Sequence, residues 1–225
     1  MSFDKKAASE YDSWYETKMG SFIDEVETKA AFDLFQPQSG EKVLDIGCGT
    51  GNFSIKLAKK GCKVVGIDIS QAMLEEARKK TKKNNLDINF QKGNALNLDF
   101  ADNSFDSVFS MTAIEFIENL EKAFKEMKRV VKPGGKIMLG TIQKNSDWAK
   151  LYEKQGRKKD SVFSDAIFRE VEALEKLNKE NLIKTKECLY ISPDTPEEKI
   201  NWDEENRLSR EKNGGFFCTL WKIKK

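Results

Sequence analysis

The chain of 225 residues contains no histidine, so the commonest metal ligand and the commonest general base are both missing. Cysteine is scarce: Cys48, Cys62, Cys188 and Cys218 include no C-x-x-C pair, which argues against a zinc knuckle and against a disulfide scaffold. Four scattered thiols are expected to be reduced residues of an intracellular protein. There are only four prolines, and no apolar stretch approaches the ~18 residues of a membrane span. Residues 1–14 carry charges throughout and lack the apolar core of a signal peptide. These absences point to a cytoplasmic protein with no membrane partner. A net charge of one sign is also missing. Charged residues make up 34% of the chain but sum to +2, leaving no global field to recruit a polyanion. Hydrophobic content of 39% with 15 Phe excludes wholesale disorder.

What is present alternates two periodicities. Apolar runs at 42–47, 62–69, 88–91, 105–111 and 136–142 read as strands. Helical spacing follows at 50–58 (Phe53, Leu57, Ala58), after Ser70 (Met73, Leu74, Ala77), and from Asn119 (Ala123, Phe124, Met127, Val130). The surface of the second helix offers Glu75/Lys79 and Glu76/Lys80 as i,i+4 pairs, and Pro133-Gly134-Gly135 stops the third. Strand and helix in turn, every 25 residues or so, predict βαβ units. The fold expected is α/β, a doubly wound, mostly parallel sheet with helices on both faces. Further strands at 182–191 and 215–223 bring the count to seven. A helix over 22–35 forms an N-terminal extension, another is expected over 165–179, and 193–213 reads as an exposed loop or short helix. The Lys-rich pieces 79–83 and 157–159 read as solvated faces diluted by nearby acids, not as nucleic-acid grooves.

The informative stretch is VLDIGCGTG, residues 43–51, between the first strand and its helix. Glycines there let backbone come close to a ligand, and the helix start favours an anionic group. Gly47, Gly49 and Gly51 form G-x-G-x-G. The dinucleotide fingerprint G-x-G-x-x-G wants a glycine where Asn52 stands, and no Tyr-x-x-x-Lys pair is present for hydride chemistry. Asp68 closes the second strand, where a carboxylate can accept from both ribose hydroxyls of an adenosine ligand or serve simply as a helix N-terminal acid.

Here the sequence resembles the class I S-adenosylmethionine-dependent methyltransferases. Residues 43–51 read like that family's first motif, and Asp68 in GIDIS (66–70) matches its second. The stretch GNA (93–95) falls where the family contacts adenine, while FDSVFS (105–110) and RVVKPGGK (129–136) are similar to its fourth- and fifth-strand signatures. More loosely, YDSWYET (11–17) resembles the start of small-molecule members similar to quinone-biosynthesis enzymes.

The resemblance implies one Rossmann-like domain over 1–225, comprising an N-terminal helical lid (1–36), a cofactor-binding core (37–142) and a substrate side (143–225). It implies S-adenosyl-L-methionine as cofactor, methyl transfer by in-line displacement to a small-molecule acceptor, a monomer or homodimer, and no metal. A catalytically silent S-adenosylmethionine-binding module and an NAD-dependent oxidoreductase stand as alternatives. The site expected comprises Tyr11, Asp45, Gly47, Gly49, Asp68, Ile69, Met73, Asn94, Ala95 and Ser110. Asp68 would hold the ribose. Asp45 would anchor the glycine turn or, through water, the methionine ammonium. Ile69 and Met73 would flank the adenine, although Met73 reads equally as helix core. Asn94 stands where the family usually has an acid, and accepts without charge, beside the N–H of Ala95. Ser110 would lie near the sulfonium. Tyr11, Tyr15 and Glu115 are the candidate bases, Glu115 reading equally as a solvated N-cap. Tyr11, Trp14 and Tyr15 form either a lid or a staple for the N-terminal helix. Trp148, Tyr152 and Phe163 offer another acceptor wall. The Asn/Asp-Pro-Pro-Tyr/Phe motif of nucleic-acid amino-methyltransferases is absent after the fourth strand, which reads Ser110-Met-Thr-Ala113.

Overall fold

The computed structural model describes residues 5–158 and 161–224; residues 1–4 of the N-terminal extension and Lys159 of the second Lys-rich piece lie outside that description. Seven strands form one sheet: β1 (Lys42–Ile46), β2 (Lys63–Asp68), β3 (Asn89–Lys92), β4 (Phe105–Met111), β5 (Val131–Ile142), β6 (Leu182–Cys188) and β7 (Phe216–Lys222). Their order is β3-β2-β1-β4-β5-β7-β6, parallel through β5, with β7 running antiparallel to both of its neighbours. This is the doubly wound, mostly parallel sheet expected. The direction of winding reverses between β1 and β4, which opens a crevice beyond their carboxyl ends.

The strands alternate their large side chains between two cores. Val43, Phe109 and Met138 join α2 (Lys18–Phe35) and α3 (Asn52–Lys59) on one face. Leu44, Val108 and Ile137 join α5 (Leu120–Val130) on the other. Edge-on aromatic contacts lock each layer, with Phe35–Phe109 centroids 5.2 Å apart and Phe124–Trp221 5.0 Å apart. Side-chain caps place the helix starts. Ser70 accepts from the Met73 N–H at the head of α4 (Gln71–Lys83), Asn119 from Lys122 N–H, and Thr17 from Gly20 N–H. The last of these starts α2 four residues earlier than its apolar pattern predicts. A short helix α1 (Lys5–Tyr11) and a 3-10 turn (Asp12–Glu16) precede it. Among the described residues no helix is long and apolar enough to cross a membrane.

Four local expectations are corrected. The helix over 165–179 does not form; only α7 (Val171–Glu175) and a broken 3-10 segment (Lys176–Asn181) are helical. The polar groups of 165–170 are spent elsewhere: Ile167 N–H donates to Glu115 O, Arg169 O accepts from Lys144 N–H, and the Arg169 guanidinium holds the carbonyls of Ile114 and Ile117. A helix absent from the reading, α6 (Asp147–Gly156), forms instead behind a Ser146 cap. α5 ends at Val130, before Pro133, and the Pro-Gly-Gly lies inside an irregular start of β5. Neither i,i+4 pair of α4 closes. Lys79 pairs with Glu76, and Lys80 leaves its helix for Asp12. Strand β6 stops at Cys188, because Leu189 turns left-handed at φ +62°. The segment 193–213 contains a 3-10 turn and α8 (Trp202–Leu208).

Candidate active site

A cavity of about 520 Å³ opens at the crevice, walled by the ends of β1, β2 and β4 and covered from the N-terminal side by Tyr11 and Tyr15. Its floor is the glycine turn. The N–H groups of Gly47 and Cys48 both donate to Ile67 O, folding the turn back onto β2. Gly47 (φ +68°) needs its glycine twice over, since a Cβ there would stand 2.3 Å from that of Ala113. Gly49 (φ +53°) differs: a Cβ there would meet nothing, and its face opens on the cavity.

Asp68 ties this turn to the next element. Its Oδ2 accepts from Gly49 N–H at 2.9 Å and its Oδ1 from Ser70 N–H at 2.8 Å. Burial pushes its carboxyl up, and those backbone N–H groups pull it part of the way back. These bonds use only part of its acceptor capacity and leave some for a ligand. Asp45 lies deeper and receives Ser54 Oγ at 2.5 Å. Burial, opposed by that hydrogen bond and aided by the Asp68 charge, pushes its carboxyl up to about 7.

Ile69 stands 61% exposed on the rim while Met73 is buried behind it, and both line the cavity with Asn94 and Ala95. The Asn94 oxygen accepts from Leu96 N–H at 2.9 Å, so the amide serves its own turn. Ser110 does not line the cavity. It is fully buried and donates to Ile46 O, pinning β4 to β1, while Met111, Thr112 and Ala113 take the wall expected of it. The cause is Thr112, a β-branched residue at φ +49° that turns the chain just past the strand. Nothing in Ser-Met-Thr-Ala signals that turn.

Tyr11 and Tyr15 meet edge to face, with ring centroids 5.9 Å and hydroxyls 3.5 Å apart. Burial raises both phenols, that of Tyr15 well above its ordinary value. Trp14 is 40% exposed and does not line the cavity. The residue between them that engages the core is Asp12, which sequence reasoning missed. Its Oδ1 accepts from Thr50 Oγ1 and Asn52 Nδ2, and its Oδ2 pairs with Lys80 Nζ at 2.8 Å. Asn52, where a dinucleotide turn would want glycine, is thus half of a polar clasp over the glycine turn.

Glu115 is not a solvated N-cap. It is 2% exposed, within a 3-10 turn (Ile114–Phe116), and its Oε1 accepts from Thr141 Oγ1 and Ile142 N–H. Burial raises its carboxyl against those hydrogen bonds. It stands outside the cavity lining, whereas Phe116 lies on it. Phe116 faces Phe163 at 6.2 Å, and Phe163 packs on Tyr152 at 4.5 Å. Trp148 is buried and committed to Ile191 O. Another buried acid, Glu27 on α2, also went unnoticed in the sequence, where it is one polar residue of an amphipathic helix.

With this geometry in hand, comparison with known proteins is informative. A family described as a methyltransferase domain matches residues 44–139. An uncharacterised protein of Methanocaldococcus jannaschii is 36% identical over 163 residues, 72% of each chain. A demethylmenaquinone methyltransferase of Staphylococcus haemolyticus is 44% identical over 102 residues, 44% of this chain and 42% of its own. The chain thus spans less than half the length of that curated relative. Among solved structures, an S-adenosylmethionine-dependent methyltransferase of Thermotoga maritima, titled a possible histamine N-methyltransferase, superposes with a TM-score of 0.73 at 26% identity, covering 97% of this chain and 96% of the other.

Proposed function

Since the chain belongs to the class I S-adenosylmethionine-dependent methyltransferases, we propose that it methylates a small-molecule acceptor by in-line displacement in the cavity above the glycine turn. S-adenosylmethionine is its cofactor. The residues present fit that group: an uncrowded glycine face at Gly49, a carboxylate at the end of β2 with acceptor capacity left over, and an apolar flank at Ile69. Bound there, it would supply an activated methyl group on a sulfonium for transfer to an acceptor lone pair.

The chain's own contribution is to bind, orient and exclude water. Asp68 holds the ribose hydroxyls, while Gly47 and Gly49 admit close backbone approach. Ile69 and Met73 flank the base, and Ala95 with Asn94 borders its edge. Asp45 stiffens the turn through Ser54. The described part of the N-terminal extension, residues 5–36, acts as the lid, Tyr11 and Tyr15 covering the cavity and Asp12 fastening it. Residues 143–225 form the acceptor side. A small acceptor is supported by the near-neutral charge and by the limited volume of the cavity beneath Tyr11 and Tyr15. The demethylmenaquinone methyltransferase relative, named for a small acceptor, supports the same reading.

The observation that carries the proposal is the Asp68 carboxylate, joined at once to Gly49 and Ser70 at the cavity floor. Its test is a calorimetric titration with S-adenosylmethionine, S-adenosylhomocysteine and NAD. The first two bind and NAD does not. Asp68→Ala keeps its circular dichroism but loses ~1.5–3 kcal/mol of cofactor affinity, the scale of hydrogen bonds to a charged group. Unchanged affinity in that variant would overturn the assignment.

A further inference from the structure

The cavity over the glycine turn is one-sided in charge. Three carboxylic acids line it, Asp45, Asp68 and Glu118, and no lysine or arginine does so among the described residues. Two lysines touch its wall from behind. Lys80 donates to Thr50 and Asn52 and is paired with Asp12, and Lys56 stands over the Phe53 ring and is paired with Asp24. Neither lines the cavity. Beyond Asp68, Ile69 and Asn94, the wall is apolar and rich in rings, with Tyr11, Tyr15, Phe53, Met111, Phe116 and Ile117. Phe116 is backed in turn, since Phe163 lies against it at 6.2 Å and Tyr152 against Phe163 at 4.5 Å.

None of these groups is placed as a base for an acceptor. Burial raises the phenols of Tyr11 and Tyr15 and the thiol of Cys48, so each keeps its proton near neutral pH. Asp45 lies under the glycine turn with Ser54 on one oxygen, and Asp68 is tied to Gly49 and Ser70. Glu118 stands exposed on the rim, and Glu115 is outside the lining. An acceptor that must shed a proton to be methylated finds no side chain positioned to take it. That includes alcohols, and aliphatic amines, which carry a proton on nitrogen near neutral pH. A carboxylate or other anion meets like charge. What acids and ring faces do attract is a cation.

Resting on the methyltransferase reading above, we propose that the acceptor is a flat, uncharged nitrogen heterocycle of the pyridine or quinoline kind, seated against Phe116, and that its product is the N-methyl cation. Such a ring nitrogen carries no proton near neutral pH, so its lone pair is free without help from a base. The step balances as it stands. The nitrogen lone pair forms the new N–C bond, and the bond from that carbon to sulfur breaks with its electron pair staying on sulfur. Positive charge passes from sulfur to nitrogen, and no proton moves. The chain's part is to hold a cation at both ends of that transfer, with carboxylates at the floor and rim and ring faces between them. Flatness follows from the walls, because ring faces such as that of Phe116 pack best on another ring.

The test uses the full chain in neutral buffer. Saturated with S-adenosylhomocysteine, it is titrated calorimetrically with 1-methylpyridinium and 1-methylquinolinium. Toluene and 1-methylnaphthalene serve as uncharged mimics of the same shape, benzoate and 1-naphthoate as anionic ones. At least one cation should bind more than tenfold tighter than its uncharged mimic, and neither anion should bind. Phe116→Ala should weaken that cation at least fivefold, and Glu118→Gln should cut its preference over the mimic at least threefold. Both variants should keep S-adenosylhomocysteine affinity within twofold of the parent. Given S-adenosylmethionine, the chain should convert at least one of pyridine, quinoline and isoquinoline to its N-methyl cation, read by mass, faster than it methylates phenol or 1-naphthol. No preference for a cation in either pair, a preference unmoved in both variants, no methylated heterocycle, or faster methylation of the hydroxyl compounds would overturn the heterocycle assignment alone. Failure of S-adenosylhomocysteine to bind would overturn the methyltransferase reading beneath it.

Discussion

Gly47 and Gly49 share a left-handed backbone but answer to different neighbours, and substitution separates them. Gly47→Ala adds backbone strain to a collision with Ala113 and should cost roughly 3 kcal/mol of unfolding free energy. Gly49→Ala carries the strain alone, about 1–2 kcal/mol, but its methyl group intrudes on the ligand. Urea unfolding and S-adenosylhomocysteine titration of both variants check this: Gly47→Ala loses mainly stability, Gly49→Ala mainly affinity. Both glycines and Asp68 could be read in the sequence because a strand-to-helix turn and the end of the next strand fix their spacing along the chain. Ser110 and Glu27 could not. Which of Ser110 and its successors faces the cavity is decided by the left-handed turn at Thr112, for which that tetrapeptide has no cue. Glu27 shares its helix face with Ile23 and Ala30, and only packing against other elements shows that its carboxyl is buried.

The segment from α1 through the 3-10 turn is held to the glycine turn by Asp12, Thr50, Asn52 and Lys80. An ion pair this exposed adds at most ~1 kcal/mol to global stability, so its influence should be local. Lys80→Met should leave the urea midpoint nearly unchanged yet speed amide exchange across residues 7–15 and hasten release of S-adenosylhomocysteine. Exchange mass spectrometry and a stopped-flow chase read the two effects, and unaltered exchange would refute the clasp. Lys80 also shows why the i,i+4 pattern of α4 misleads. A long cation chooses the best carboxylate in space, and here that partner is 68 residues away in the chain. The failed helix over 165–179 has the same origin, since Arg169 and Ile167 spend their polar groups on the 114–117 turn. Elements whose apolar period meets the sheet directly were recovered, whereas those shaped by polar contacts with distant loops were not.

Across the whole protein, acids with raised carboxyls gather near the carboxyl edge of the sheet: Glu27 at about 8, Asp45 at about 7, and Asp68 and Glu115 also upward. Each binds its proton more tightly folded than unfolded. Their contribution to stability is complete below the ordinary carboxylate range and is lost as pH rises toward 8, by at most ~1.4 kcal/mol per pH unit for each group. Asp33, Asp106 and Glu126, held down by lysine and arginine partners, act the other way, but only as pH falls below about 4. Urea unfolding of the ligand-free protein should therefore show greatest stability near pH 5 and a decline of a few kcal/mol by pH 8; a profile flat from 5 to 8 would count against these buried acids. The sheet itself was readable because five parallel strands and their crossovers repeat one hydrophobic rhythm. The placing of β7 was not, and it matters for how the protein comes into being. Strand β6 pairs only with β7, and α2 packs against both. On the ribosome, the five parallel strands around the glycine turn are all synthesised by residue 142 and α2 can already pack on β4 and β5, but β6 waits for residues 216–222. The crevice beyond β1 and β4 can therefore take shape several seconds, at about 5–20 residues per second, before the sheet acquires its antiparallel edge.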